Sequence, residues 1–488
     1  MASHSIDEKG TDHVSNDQVE IAMKGISNQD RISRFSPAEQ KRIVRRIDLR
    51  LAVTLGCLYC ISLLDRTNLG AASVAGMQKS LNMNESNNGY TIVSLVFFIS
   101  YTIFQAPAVV FIRTMGPRNF LAFIVLAWGA VMIGFGFVPS WEVMCVLRVI
   151  LGALEAGFYP GCVYLLSTWY PRFDLQKRNA LFYLIGSMAS GFGGILAYGL
   201  MQLDGVSNLS GWRWIFIIEG ILTCALAIGA YFIIVDFPEE SPKSWHFLNE
   251  EEAAFVVARI EQDRSDTYPD KFSVGKYLKN ALDSKVWAFA WLYMLTTTNT
   301  YAIAYFLPII LRDGMGFSVA AAQCLTAPPY VAAAIIMYVE SYFSDKWRLR
   351  GPIVVGNALM GIVGLGLLGY VKTAGVRYFG VFLATAACNA NCPALITYQG
   401  NNIRGQWKRA LTSATLVGGG SIGGIIGTTV FRAQDAPNYR PGILTCLIAD
   451  ALIVLIVAWL SWKFNRANKR AMNGGKVIEG LDGFRYTL

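Results

Sequence analysis

Six ionisable residues sit where the sequence is otherwise apolar: Asp65, Arg66, Arg148, Glu155, Glu219 and Glu340. A charge at the centre of a membrane helix costs about 2.5–3.5 kcal/mol even on a mild insertion scale. The first four would together cost on the order of 10 kcal/mol if unpaired, comparable with the stability of a whole domain. They must be paired, hydrated or functional. The planar fork of an arginine matches a carboxylate, which makes Arg66 and Arg148 candidate substrate-binding groups for an organic anion. Asp65 and Glu155 are candidate proton carriers. A carboxylate whose arginine is borrowed by an arriving anion gains a proton more readily, which is a physical route to coupling. The alternative is a static network in which the four charges hold helices together.

Heights follow from the rise per residue. Counted from residue 50, Arg66 lies roughly 24 Å up its helix, and Arg148 lies at a similar height on another. Glu155, seven residues after Arg148, shares its helix face and lies roughly 10 Å deeper. Asp65 points about 100° away from Arg66, so the two need not cancel. The run Thr296-Thr297-Thr298-Asn299-Thr300-Tyr301 reaches the level of Asp65 and Arg66 in a second helix without any charge. Asn299 and Tyr301 are therefore candidate neutral substrate contacts, while the threonines could instead bond their own backbone. Pro308 is expected to break this helix. Glu219 and Glu340 read as packing or gating residues.

These residues need helices to carry them. Of 488 residues, 54% are hydrophobic and 15% charged, where a soluble protein would carry roughly a quarter charged. That excludes a single soluble domain and a disordered chain. The net charge of +9 does not by itself imply nucleic acid, because placement decides. Nine cysteines and three histidines write no metal or disulfide framework, since the single C-x-x-C, Cys57 to Cys60, sits in an apolar run where a thiol is a small hydrophobe, so neither a metal site nor a catalytic centre is expected. Twelve apolar runs are each long enough to cross a bilayer: about 50–72, 90–111, 119–138, 142–165, 178–202, 212–235, 286–311, 319–342, 351–371, 377–398, 409–431 and 441–464. The sequence predicts an all-α membrane protein of twelve transmembrane helices. Residues 1–45 read as a disordered cytosolic tail without a cleavable signal, and residues 465–488 as a second cytosolic tail.

Lysines and arginines set the orientation. With a cytosolic N-terminus, the inside segments hold 29 and the outside loops 7, so both termini are expected in the cytosol. The basic flanks suit an anionic leaflet. Asn84 and Asn208 head two glycosylation sequons in outside loops. Segment 236–285 is the long polar stretch between spans, and Asn249 with Glu252 predicts a helix start within it. It separates a six-helix unit at 46–235 from another at 286–464. The units also resemble each other: Lys177-Arg178-Asn179-Ala180-Leu181 leads to Gly193-Gly194, and Lys408-Arg409-Ala410-Leu411 leads to Gly423-Gly424. Matched packing glycines imply a duplicated bundle around a central cleft.

Three motifs resemble the anion:cation symporter family of the major facilitator superfamily. They are Leu64-Asp65-Arg66-Thr67-Asn68-Leu69-Gly70, the Arg148-x3-Gly152-x2-Glu155-Ala156-Gly157-x2-Pro160-Gly161 run, and Gly211-Trp212-Arg213-Trp214-Ile215-Phe216-Ile217-Ile218-Glu219-Gly220. Asp435-Ala436-Pro437-x-Tyr439-x2-Gly442 looks like its fungal allantoate, nicotinate and pantothenate permease branch. The resemblance, which covers about 45–465, implies a rocker-switch fold of two pseudo-symmetric six-helix bundles with substrate held between them. It places the family's arginines on Arg66 and Arg148 and its glutamate on Glu155, and gives Asp65 a part in proton coupling. It also implies a cytosolic gate at Ser344-Asp345-Lys346-Trp347-Arg348, with Asp345 and Arg348 as gating residues. The counterpart Arg113-Thr114-Met115-Gly116-Pro117-Arg118 lacks the acid.

The function expected is proton-coupled uptake of a small organic anion, a monocarboxylate of nicotinate or allantoate type, by a monomer in the plasma membrane. The proton is the coupling ion and no other cofactor is called for. An exporter of an acidic metabolite would use the same residues with different gradients, and a nutrient sensor would bind without transporting. No span carries a histidine, which excludes a histidine proton relay.

Overall fold

The apolar runs become long helices because no water competes for their backbone groups in a bilayer, so each segment must satisfy its own. The computed structural model describes residues 28–84, 87–243, 247–264, 280–347, 349–404, 406–436, 438–474, 477–480 and 484–488, and these contain helix and turn but no strand. The helices are α1 (Asn28–Ser33), α2 (Pro37–Ile47), α3 (Val53–Val74), α4 (Gly89–Met115), α5 (Pro117–Phe135), α6 (Trp141–Glu155), α7 (Phe158–Trp169), α8 (Arg172–Met201) and α9 (Gly211–Ile233). After the linker helix α10 (Glu250–Arg264) come α11 (Ser284–Ile309), α12 (Val319–Cys324), α13 (Ala327–Trp347), α14 (Gly351–Tyr370), α15 (Ala374–Asn402), α16 (Gln406–Thr429) and α17 (Arg440–Met472). Among the described residues nine helical rods are both long and apolar enough to cross a membrane, and α4, α8 and α16 supply the three further rods of the expected twelve.

The two halves repeat one packing scheme. In the first, α3 packs on α8, α5 on α9, and α4 on α6; in the second, α11 packs on α16, α14 on α17, and α13 on α15. Across the halves α8 meets α13 and α16 meets α4, which is the reciprocal pairing a pseudo-two-fold axis requires. The glycines show why. A Cβ on Gly193 would meet Leu64 of α3 at 2.7 Å, and one on Gly419 would meet the Ala290 carbonyl of α11 at 2.6 Å. Gly194 and Gly424 instead face the opposite half, against Gln323 and Phe98. One stripe of small residues on α8 and α16 thus closes each bundle, and the adjacent stripe joins the two.

Three local expectations are corrected. Residues 28–33 and 37–47 are helical rather than an unstructured tail: Ser36 and Glu39 form a reciprocal capping box, and Ile43 and Ile47 are buried. Pro308 does not end its helix: α11 continues to Ile309, where the Ile310 N–H still bonds the Phe306 and Leu307 carbonyls, and then widens into a π-turn at Ile310–Gly314. In the C-terminal stretch α17 extends to Met472, and Tyr486 then stacks on Phe464 with centroids 4.5 Å apart. The linker helix begins at Glu250, with the Asn249 N–H donating to Glu252 at 3.1 Å. Arg46 ties that helix to the first half through Glu252, at 3.0 Å.

Candidate functional site

The spacing Arg148-x3-Gly152-x2-Glu155 puts three residues on one face of α6. Gly152 packs against Phe97 and Ser100 of α4, where a side chain would collide, so α6 lies close enough for Arg148 and Glu155 to reach the interior. Glu155 accepts from Arg66 Nε at 2.6 Å and from Ser62 Oγ at 3.1 Å, joining α6 to α3. Arg66 Nη1 donates to the Tyr301 hydroxyl at 3.4 Å, which reaches from the second half. Its guanidinium lies 4.7 Å from the Tyr101 ring centroid and 5.5 Å from that of Phe97.

Arg148 is wholly buried, and neither Nε, Nη1 nor Nη2 has a hydrogen-bond partner among the described residues. Its guanidinium lies 5.3 Å from Phe135 and 6.0 Å from Phe97, so Phe97 stands against both arginines. Arg66 Nη2, Glu155 Oε1 and the Tyr305 hydroxyl are also buried without partners among the described residues. The centre therefore holds one bound arginine, one free arginine and several unused polar atoms. That arrangement can take up an anion with fixed hydrogen-bonding geometry.

Asp65 faces the other way, as its place next to Arg66 on a helix predicts. Its Oδ2 accepts from Trp128 Nε1 of α5 at 3.1 Å and from Thr223 Oγ1 of α9 at 3.3 Å, while Oδ1 has no partner among the described residues. The two carboxyls thus separate into Glu155 at the arginines and Asp65 behind them. Glu219, one turn before Thr223, is buried with neither oxygen bonded among the described residues. Glu340 accepts from Asn357 at 2.9 Å.

In the second half, Thr297, Thr298 and Thr300 donate to carbonyls of their own helix, at 2.8, 2.9 and 2.9 Å. The Asn299 amide points to α17, donating to Asp450 Oδ1 at 2.8 Å and to the Cys446 carbonyl at 3.3 Å. Asp450 is a buried acid that the sequence reading overlooked, although it stands alone in an uncharged run. The aromatic walls, Phe97, Tyr101, Phe135 and Tyr305, carried no signal separating them from lipid-facing aromatics.

Of the gating residues, Arg348 lies outside the described residues, as does the side chain of Asp345. An acid from elsewhere in the chain stands beside the first-half motif. Asp236, just after α9, accepts from the Arg118 backbone N–H at 2.8 Å and so caps the start of α5 beside Gly116, whose φ is +81°. Asn84 and Asn208 are both exposed, and Asn208 has a φ of +57° in a turn between α8 and α9.

Paired six-helix bundles of membrane-spanning length, with buried charge at their common face, define a membrane transporter. The chain belongs to the major facilitator superfamily, whose family description matches residues 55–428. The MFS-type transporter cnsO of Penicillium expansum is 32% identical, over 91% of this chain and 87% of that one. The high-affinity nicotinic acid transporter of Saccharomyces cerevisiae is 28% identical, over 92% of this chain and 82% of that one. The partially occluded inward-open structure of the xylose transporter XylE from E. coli superposes with a TM-score of 0.65 at 15% identity, covering 85% of this chain and 97% of that one.

Proposed function

We propose that the protein is a proton-coupled importer of a small organic anion, of nicotinate or allantoate type, working by alternating access as a member of the anion:cation symporters. The observation that carries the reading is Arg148: a fully buried guanidinium with all three nitrogens unbonded is costly unless an anionic ligand completes it. Arg66 would share that ligand through its free Nη2, with Tyr301 and Tyr305 as neutral contacts. Glu155 would then take the coupling proton as the anion draws Arg66 away from it, with Asp65 as a second acid. The relative named as a nicotinic acid transporter makes nicotinate the first probe. The bundles at 46–235 and 286–464 would rock about this centre, with both tails and the linker in the cytosol and the monomer in the plasma membrane.

The test is uptake of labelled nicotinate and of other monocarboxylates by cells expressing the chain, at two pH values. Uptake is expected to rise with external acid and to collapse when the proton gradient is dissipated. Glu155→Gln keeps the hydrogen bonds but not the titration, so it should exchange substrate across the membrane without concentrating it. Uptake that ignores pH in the parent chain would sink the proton arm of the reading.

A further inference from the structure

The two halves carry the same polar device with its parts exchanged. In the first, Asp65 on α3 reaches Thr223 of α9 at 3.3 Å. In the second, the matching helix α11 carries Asn299, which reaches Asp450 of α17 at 2.8 Å. A carboxyl and a neutral hydrogen-bonding group thus meet between equivalent helices of each bundle, but the acid has changed sides. Each helix also sends a nearby residue into the centre. Arg66 follows Asp65 into the centre, and Tyr301, two residues after Asn299, meets Arg66 there at 3.4 Å.

Asp450 is 5% exposed and has no basic neighbour among the described residues. Asn299 faces it from α11, the Cys388 thiol from α15, the Cys446 thiol from one turn earlier on α17, and Gly361 from α14. A Cβ on Gly361 would collide with Asp450 Oδ2, so the glycine makes room for the carboxyl. The amide presents its N–H rather than its oxygen, and Asn299 Oδ1 stays buried without a partner among the described residues. A metal ion would want that oxygen turned inward and several more around it. A proton needs one oxygen of the acid and nothing else.

From this we infer that Asp450 is a proton-binding site of the second half, read out through Asn299 and α11 to Tyr301 and Arg66. Protonation replaces a charge-assisted hydrogen bond from Asn299 with a weaker neutral one, which loosens α11 from α17. Because α11 also holds Tyr301 against Arg66, the state of Asp450 bears on the central arginine without touching the transported anion. This consequence rests on the transport reading above, but the proton site itself does not.

The test therefore uses no substrate. The full chain in lipid nanodiscs is taken from alkaline to acid pH and followed by infrared difference spectroscopy, with Asp65→Asn and Glu155→Gln alongside to assign their own bands. The parent is expected to show a protonated-carboxyl carbonyl band that Asp450→Asn loses and the other two variants keep. Asn299→Leu removes the donor and should shift the frequency of that same band, which tests the pair even where Asp450→Asn fails to elute as a single species. A band that survives Asp450→Asn, or ignores Asn299→Leu, overturns the inference. So does a stabilisation by sodium over choline that Asp450→Asn abolishes, which would make the site a metal-ion site. Absent nicotinate uptake would count against the proposed function and leave this result standing.

Discussion

The two arginines differ in what the fold has already given them. Arg66 is bonded to Glu155 and Tyr301, whereas Arg148 is bonded to nothing among the described residues. Removing one partner of a buried pair strands the other, at about 3–5 kcal/mol, so Arg66→Ala should sharply lower thermal stability in detergent. Arg148 leaves no stranded partner. Arg148→Met exchanges an uncompensated buried cation for an apolar chain of similar length and should raise the melting temperature of the empty protein, while uptake falls by roughly 30- to 4000-fold, the factor expected from about 2–5 kcal/mol of lost charged contact. Arg148→Lys should rescue uptake poorly, because the fork is lost. Equal destabilisation by the two arginine variants would place Arg148 in a structural network instead. Sequence alone identified these residues from charge in apolar runs, and helical geometry correctly sent Asp65 away from Arg66. It did not show that Glu155 belongs to Arg66 rather than to its own helix neighbour. Partners across helices depend on helix rotation and side-chain reach, which no spacing rule within one helix contains.

At the scale of elements, the halves touch closely from Arg66 towards the end of the bundle opposite the chain termini. A Cβ on Gly70 would meet the Tyr305 carbonyl oxygen at 2.6 Å, the Tyr90 hydroxyl donates to that same oxygen at 3.2 Å, and Gln323 reaches the Ala71 carbonyl at 2.9 Å. Arg312 donates to the Val74 carbonyl at 3.0 Å, satisfying an acceptor at the end of α3 with a cation from the other half. Gly70→Val should prevent this end from closing. Uptake should drop by an order of magnitude or more, and a cysteine placed at Val74 should react faster with a membrane-impermeant thiol reagent. Gly199 has open space around it, so Gly199→Ala serves as the control and should leave both readouts unchanged. The matched glycine pairs on α8 and α16 were visible as a repeat in the sequence, and they do pack each bundle. What the repeat could not show is that Gly194 and Gly424 face the opposite half, because neighbouring glycines on a helix differ only by rotation. Asp236 capping α5 from beyond α9 was hidden for a related reason: a cap supplied from 118 residues away leaves no local pattern.

For the molecule as a whole, the open question is which carboxyls can respond to pH at all. The C-terminal stretch lies across the base of the second half. Glu479 accepts from Lys285 and, at 2.8 Å, from Lys408; Lys408 also pairs with Asp283 at 2.7 Å; and the Thr487 N–H donates to Asn402 at 2.9 Å. Burial pushes the Glu479 carboxyl up, but the hydrogen bonds from Lys285 and Lys408 outweigh it and hold the group below its usual range. Asp283 behaves alike, with burial opposed and exceeded by Lys408 and Lys285. Acids lowered in the docked state stabilise docking fully above their free values, about 3.9 for Asp and 4.3 for Glu, and lose that contribution only as pH falls through the lower docked values. Docking should therefore be unchanged between pH 7 and pH 5 and fail only in stronger acid. Hydrogen exchange at residues 484–488, corrected for the intrinsic rate, should show equal protection at pH 7 and pH 5. Glu479→Gln, which gives up charged hydrogen bonds worth about 1.5–3 kcal/mol each, should raise exchange there by tenfold or more at both. Protection lost between pH 7 and pH 5 in the parent would make this cluster a sensor of mild acid. If protection holds, this cluster is not the sensor of mild acid, and the buried carboxyls Asp65, Glu155, Glu219 and Asp450, which have no lysine among their described neighbours, are the groups left to test.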